Sequence, residues 1–138
     1  MAELEGMCGR LAARRINFDE KNELIALHKS CEKFLFNNDS EGYYEENKNF
    51  HFAIYHASHN SFLIEQASSL HKRLHPYRRL QLRVHNRMNH SYSEHEALLN
   101  AIINGEELLA EKLLKEHVVI QGEKFTDLIS SLNTLISS

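Results

Sequence analysis

The chain has 138 residues, of which 42% are hydrophobic and 25% charged. This is the make-up of an ordinary globular domain, long enough to bury about two-thirds of its unfolded surface in one core. A net charge of −3 argues against a basic face that grips nucleic acid, and one proline with five glycines argues against a turn-rich β fold. No run of 18 apolar residues and no signal-like start is present, which points to a cytoplasmic protein.

The first helix is expected from about Glu3 to Arg15, with Leu4, Met7, Cys8, Leu11 and Ala12 on one face. It begins almost at the first residue without a cap, so a domain cut from a longer chain is expected. Asn17 followed by Glu20 makes a capping-box pattern. The second helix then runs to about Phe36 on Leu24, Leu27, Cys31, Phe34 and Leu35. Cys8 and Cys31 fall on separate helices at apolar positions and read as reduced core residues.

Asn37 to Ser40 is a turn, and the third helix covers about Glu41 to Ala57. Ser58-His59-Asn60-Ser61 breaks it and caps a long fourth helix, from about Ser61 to His85. The inner face of that helix is Leu63, Ala67, Leu70, Leu74, Tyr77 and Gln81. Pro76 lies inside it and either kinks or breaks the rod. Asn86 to Asn89 reads as a polar connector. The fifth helix spans about Ser91 to Asn104, ended by Gly105 in the place a left-handed cap needs. A sixth runs from Glu106 past Ile120 to about Leu135, with Gly122 a weak point. The expected fold is all-α: an antiparallel bundle of about six helices around an internal metal or ligand cavity, with residues 1–138 as one domain.

Ten histidines need sorting. His51 lies four residues after Asn47, so both side chains share one helix face. His95 falls in the stripe of Leu98, Leu99 and Ile102, and His117 in that of Ala110, Leu113 and Leu114. One inward histidine reads most simply as a hydrogen-bonded core residue. Three on three helices, with Asn47 beside one of them, read better as ligands of a shared cation, because so many unpaired buried imidazoles would be costly. His28, His71, His75, His85 and His90 read as surface residues, and His56 and His59 flank a turn.

Arg78 follows Leu74 by one turn near Pro76. It either reaches the cavity and holds an anionic effector, or joins Arg73, Arg79, Arg83 and Arg87 on a solvated face. Glu94 and Glu96 should point away from the His95 stripe, and Glu46 is off the Asn47 face, so no general base is evident. No Ser-His-Asp or Cys-His pattern and no glycine-rich phosphate loop is present.

Glu5, Leu11-Ala12-Ala13-x-Arg15, Asn47-x-x-Phe50-His51, Ala57-Ser58-x-Asn60-x-x-Leu63, Ser93-Glu94-His95-x-x-Leu98-Leu99-x-Ala101-Ile102, and Ala110 with His117 together resemble a known family. It is the FadR C-terminal (FCD) effector-binding domain of GntR-type transcription regulators, and the compact helix count is similar to its VanR-type branch. The resemblance covers nearly the whole chain. It implies a divalent transition metal (zinc, nickel, manganese or iron) on Asn47, His51, His95 and His117, with Asn47 where Asp is commoner. It further implies a small carboxylate effector, a homodimer, no enzymatic activity, and DNA binding only through an N-terminal winged helix-turn-helix domain that this chain lacks. The rival readings are a metal-dependent helical hydrolase or lyase, and a structural bundle with a folding metal.

Overall fold

The computed structural model describes residues 1–137; side chains at 121–125, 127, 128, 131 and 135–137 are outside the description. The described residues form helices α1 (Ala2–Arg15), α2 (Phe18–Phe36), α3 (Ser40–Ala57), α4 (Ser61–Arg73), α5 (His75–Gln81), α6 (Arg87–Ile103) and α7 (Glu107–Ser137). The fold is all-α, as expected.

Local chemistry sets most of the boundaries. Asn17 accepts from the Glu20 backbone N–H while the Glu20 side chain accepts from the Asn17 N–H, so the capping box forms. Asp39 and Asn60 cap α3 and α4 in the same manner, through Gly42 and Leu63. Gly105, with φ +71°, closes the turn between α6 and α7 in a conformation that costs a glycine nothing. α7 is helical through Gly122.

Two boundaries differ from the sequence reading. The long fourth helix is two helices, divided at Leu74, and Pro76 sits in the first turn of α5. A missing N–H is harmless there, so the proline starts a helix instead of bending one. The supposed connector from Asn86 to Asn89 is already the start of α6, where Arg87 and Met88 are buried.

α1 lies against α7 in the most extensive interface, and α2 pairs with α3; α6 joins the two pairs through α7 and α2. α1 and α7 approach closely because α1 is small where they meet. A Cβ added to Gly6 would come within 2.4 Å of Lys115 Cγ, and one on Gly9 within 3.1 Å of Leu114 Cδ2. The buried face of α1 is accordingly Glu5, Gly6, Cys8, Gly9, Ala12 and Ala13, whereas Met7 is 40% exposed. Tyr77, expected on an inner face, is 55% exposed. Cys8 and Cys31 are buried free thiols, and burial pushes both up to about 12. The main core gathers Cys8, Ala12, Leu24, Phe50, Ile54, Leu98, Ile102 and Leu114; a smaller cluster holds Cys31, Tyr43, Tyr44, Leu82 and Met88.

Candidate metal centre

α3, α6 and α7 each present one histidine to the middle of the bundle. His51, His95 and His117 are buried, and one ring nitrogen from each lies within 4.8 Å of the others. Three histidines are thus close enough to hold a metal ion. The ring of Phe50 stacks on His95 with centroids 4.6 Å apart, which fixes that imidazole from outside.

Two carboxylates orient the other two rings. Glu5 Oε1 accepts from His51 Nδ1 at 2.7 Å, and Glu94 Oε1 accepts from His117 Nδ1 at 2.5 Å. An ionised carboxylate can only accept, so the proton of each imidazole is held on Nδ1 and the Nε2 lone pair is left free. Among the described residues His51 Nε2 has no partner, and His117 Nε2 faces His95 Nε2 at 3.1 Å. Asn47, one turn before His51 on α3, is 2% exposed, and its Oδ1 is also unpartnered. Buried acceptors without donors cost about 1–3 kcal/mol each. The donor set suits a borderline divalent cation, and one such ion would satisfy the facing nitrogens together.

The electrostatics keep these rings neutral. Burial lowers the pKa of His51 against the pull of Glu5, and it drives His95 well below the usual imidazole value. His117 is pushed down to about 4 by burial, partly opposed by Glu94. Ligation requires the neutral form. Burial would raise Glu5, but the Arg78 guanidinium and His51 hold it well below the ordinary carboxylate range. Glu94 is likewise lowered in spite of its burial, by its bonds to His117 and Arg87.

Several of these residues correct the sequence reading. Glu94 does not point away: it is bound to His117 and to both terminal nitrogens of Arg87. Arg78 and Arg87 are not solvated but 6% and 2% exposed; Arg73, Arg79 and Arg83 are exposed. Arg78 donates to Glu5 Oε2 at 2.8 Å and retains one terminal nitrogen without a partner among the described residues. His71 is completely buried beside His51, with ring centroids 5.9 Å apart and neither ring nitrogen partnered among the described residues, and burial pushes it down to about 2. His28 is buried between Phe50 and Tyr92. His75 is half-buried and bonded to the Tyr44 hydroxyl, while His85 and His90 are exposed. Glu5 carried only a pattern match in the sequence; here it also accepts from Tyr55 at 2.5 Å.

The family model for the FCD domain matches residues 1–119. The chain belongs to the FCD domain family. FCD domains are the ligand-sensing domains of GntR-type regulators. All the residues around the FCD domain's histidine cluster, from Glu5 to His117, lie inside the matched span. No curated protein matches the chain. No helix of this FCD domain, among its described residues, is long and apolar enough to cross a membrane.

Proposed function

We propose that this FCD domain is the effector-sensing part of a GntR-type transcription regulator of the VanR-type branch. It binds a divalent transition metal on Asn47, His51, His95 and His117, and a small organic acid beside it. The observation that carries this reading is the direction of the ring nitrogens. Nδ1 of His51 and His117 is tied to carboxylates, the Nε2 atoms of His117 and His95 face one another, and one ring nitrogen of His51 lies within 4.8 Å of them. When bound, the ion supplies a positive centre that attracts a carboxylate ligand. Arg78 is the second contact for the acid, since its unpartnered terminal nitrogen can donate to a carboxylate while the other stays on Glu5.

Occupancy would be passed to a DNA-binding domain joined to this one in the intact, homodimeric and cytoplasmic regulator. The rival is a metal-dependent hydrolase or lyase, which needs a free base near the ion. Glu94 is the acid bonded to His117, and both its oxygens are bound to Arg87, with its pKa lowered. A carboxylate so engaged is a poor proton acceptor, which favours a sensor.

Elemental analysis of the purified protein tests the metal, and calorimetric titration of citrate tests the acid. His51→Ala, His95→Ala and His117→Ala should each lose most of the bound metal and melt at lower temperature, because metal binding to three helices stabilises the native state. Full occupancy in all three variants rules out the site.

A further inference from the structure

The histidine cluster is closed to solvent. His51 and His95 have no exposed surface, His117 is 2% exposed, and His71 beside His51 is fully covered. A solute reaches these rings only if part of the bundle moves, and the helices differ in what such a movement would uncover. Displacing α3 brings Phe50, Ile54 and Tyr55 into water, and displacing α6 does the same to Leu98, Leu99 and Ile102. The cost of either rises with the apolar area exposed.

α5 has no such face. Arg78 is the one buried residue of its seven, and Tyr77 and Leu80 are 55% and 45% exposed. Among the described residues, no α5 side chain belongs to either core cluster. Its inward bonds are polar: Arg78 to Glu5, behind His51, and His75 to the Tyr44 hydroxyl at 2.7 Å. Arg79 meets Glu41 at the surface. Opening exchanges each of these bonds for bonds to water, and a buried ion pair that becomes hydrated on both sides regains the solvation it had lost. The two ends of α5 also differ in kind. Leu74 closes α4 and begins α5 with no side-chain cap, whereas Leu82, just past α5, is buried in the smaller core cluster.

We propose that α5 is a lid over the histidine cluster, hinged at Leu74 and anchored at Leu82, with the His75–Tyr44 bond and the Arg78–Glu5 pair as its latches. Closed, it seals the Glu5 side of His51; open, it admits an ion or a small solute there. Segments with few buried apolar side chains and mainly polar anchors are those that open locally, ahead of the rest of a domain.

Tyr44→Phe removes one latch and keeps the ring in the core. Tyr43→Phe, which takes the neighbouring buried hydroxyl from Ser91 on α6, is the control. In metal-free protein, amides at 77–81 should exchange with deuterium about tenfold or more faster than those at 50–55 of α3. Tyr44→Phe should speed the first set by about a further fivefold and leave the second unchanged. Labelling of His51 and His71 by diethyl pyrocarbonate, read by mass spectrometry against the exposed His85 and His90, should rise by the same factor. With zinc as the probe ion, Tyr44→Phe should raise the association and dissociation rates together and leave Kd unchanged. Equal exchange in α5 and α3, the same effect from Tyr43→Phe, or labelling that does not follow α5 exchange overturns the lid. Failure to take up zinc would count against the metal reading alone, since exchange and labelling are read without metal.

Discussion

Arg78 on α5 closes on Glu5 on α1 at 2.8 Å, across 73 positions of sequence, and both side chains are buried. The same carboxylate holds His51 and Tyr55, so one residue of α1 anchors α3 and α5 at once. Removing one member of a buried pair leaves the other charge uncompensated, at about 3–5 kcal/mol. Glu5→Gln should therefore lower stability by about 3 kcal/mol in urea denaturation. Adding Arg78→Met to it should recover part of the loss; a double variant that shows the full sum of the single losses would mean that the two side chains do not interact.

Glu94 controls His117 from behind. Loss of such a carboxylate typically weakens metal binding by about 10–100-fold. Glu94→Gln should do so in a competition titration with a zinc chelator. Glu96→Gln, on an exposed position of the same helix, should leave the affinity as it was. Equal effects from the two would point to bulk charge instead of orientation.

The neutral histidines give the metal-free domain an acid limit. A buried imidazole whose folded pKa is lowered binds fewer protons folded than unfolded. Its stabilising effect is complete above the unfolded value near 6.5 and is lost as pH falls toward the folded value. For His117 that window runs from 6.5 down to about 4, an upper limit of about 3 kcal/mol. His71 extends the loss further, toward about 2. Chelator-treated protein melted at pH 7.5, 6 and 5 should show a falling midpoint; a flat profile would show that these rings are not held neutral.

Asn47 offers an amide where a carboxylate would cancel half of a divalent ion's charge. Asn47→Asp should tighten zinc and weaken a bound acid such as citrate, because the net positive charge drops. Calorimetry of zinc into metal-free protein, and of citrate into loaded protein, reads both. If both affinities move in the same direction, Asn47 is not a ligand.

The helices and the three clustered histidines were legible because helical periodicity reports burial directly. His95 lies three and four residues from Leu98 and Leu99, and His117 three from Leu114. The same signal marked residues that were passed over. His71 is four after Ala67, His28 four after Leu24, and Glu94 four before Leu98; all three neighbours are core residues. Their polarity outweighed their position in the reading. What periodicity could not supply is the pairing: that Glu5 meets Arg78, or Glu94 meets Arg87 and His117, depends on how four helices cross. The break at Leu74 was equally ambiguous, since proline suits both a kink and a first turn.

The histidine cluster draws on residues far apart in the order of synthesis. Glu5 emerges from the ribosome first, His51 next, then His95, and His117 last, on the helix that α1 packs against most extensively. While the chain is being made, α1 has no α7 to cover it and His51 has no facing ring. The cluster cannot be completed until α7 has emerged. On the proposed reading, a half-made chain would offer an ion only part of its ligand set, and metal loading would belong to the finished domain, not to the nascent one.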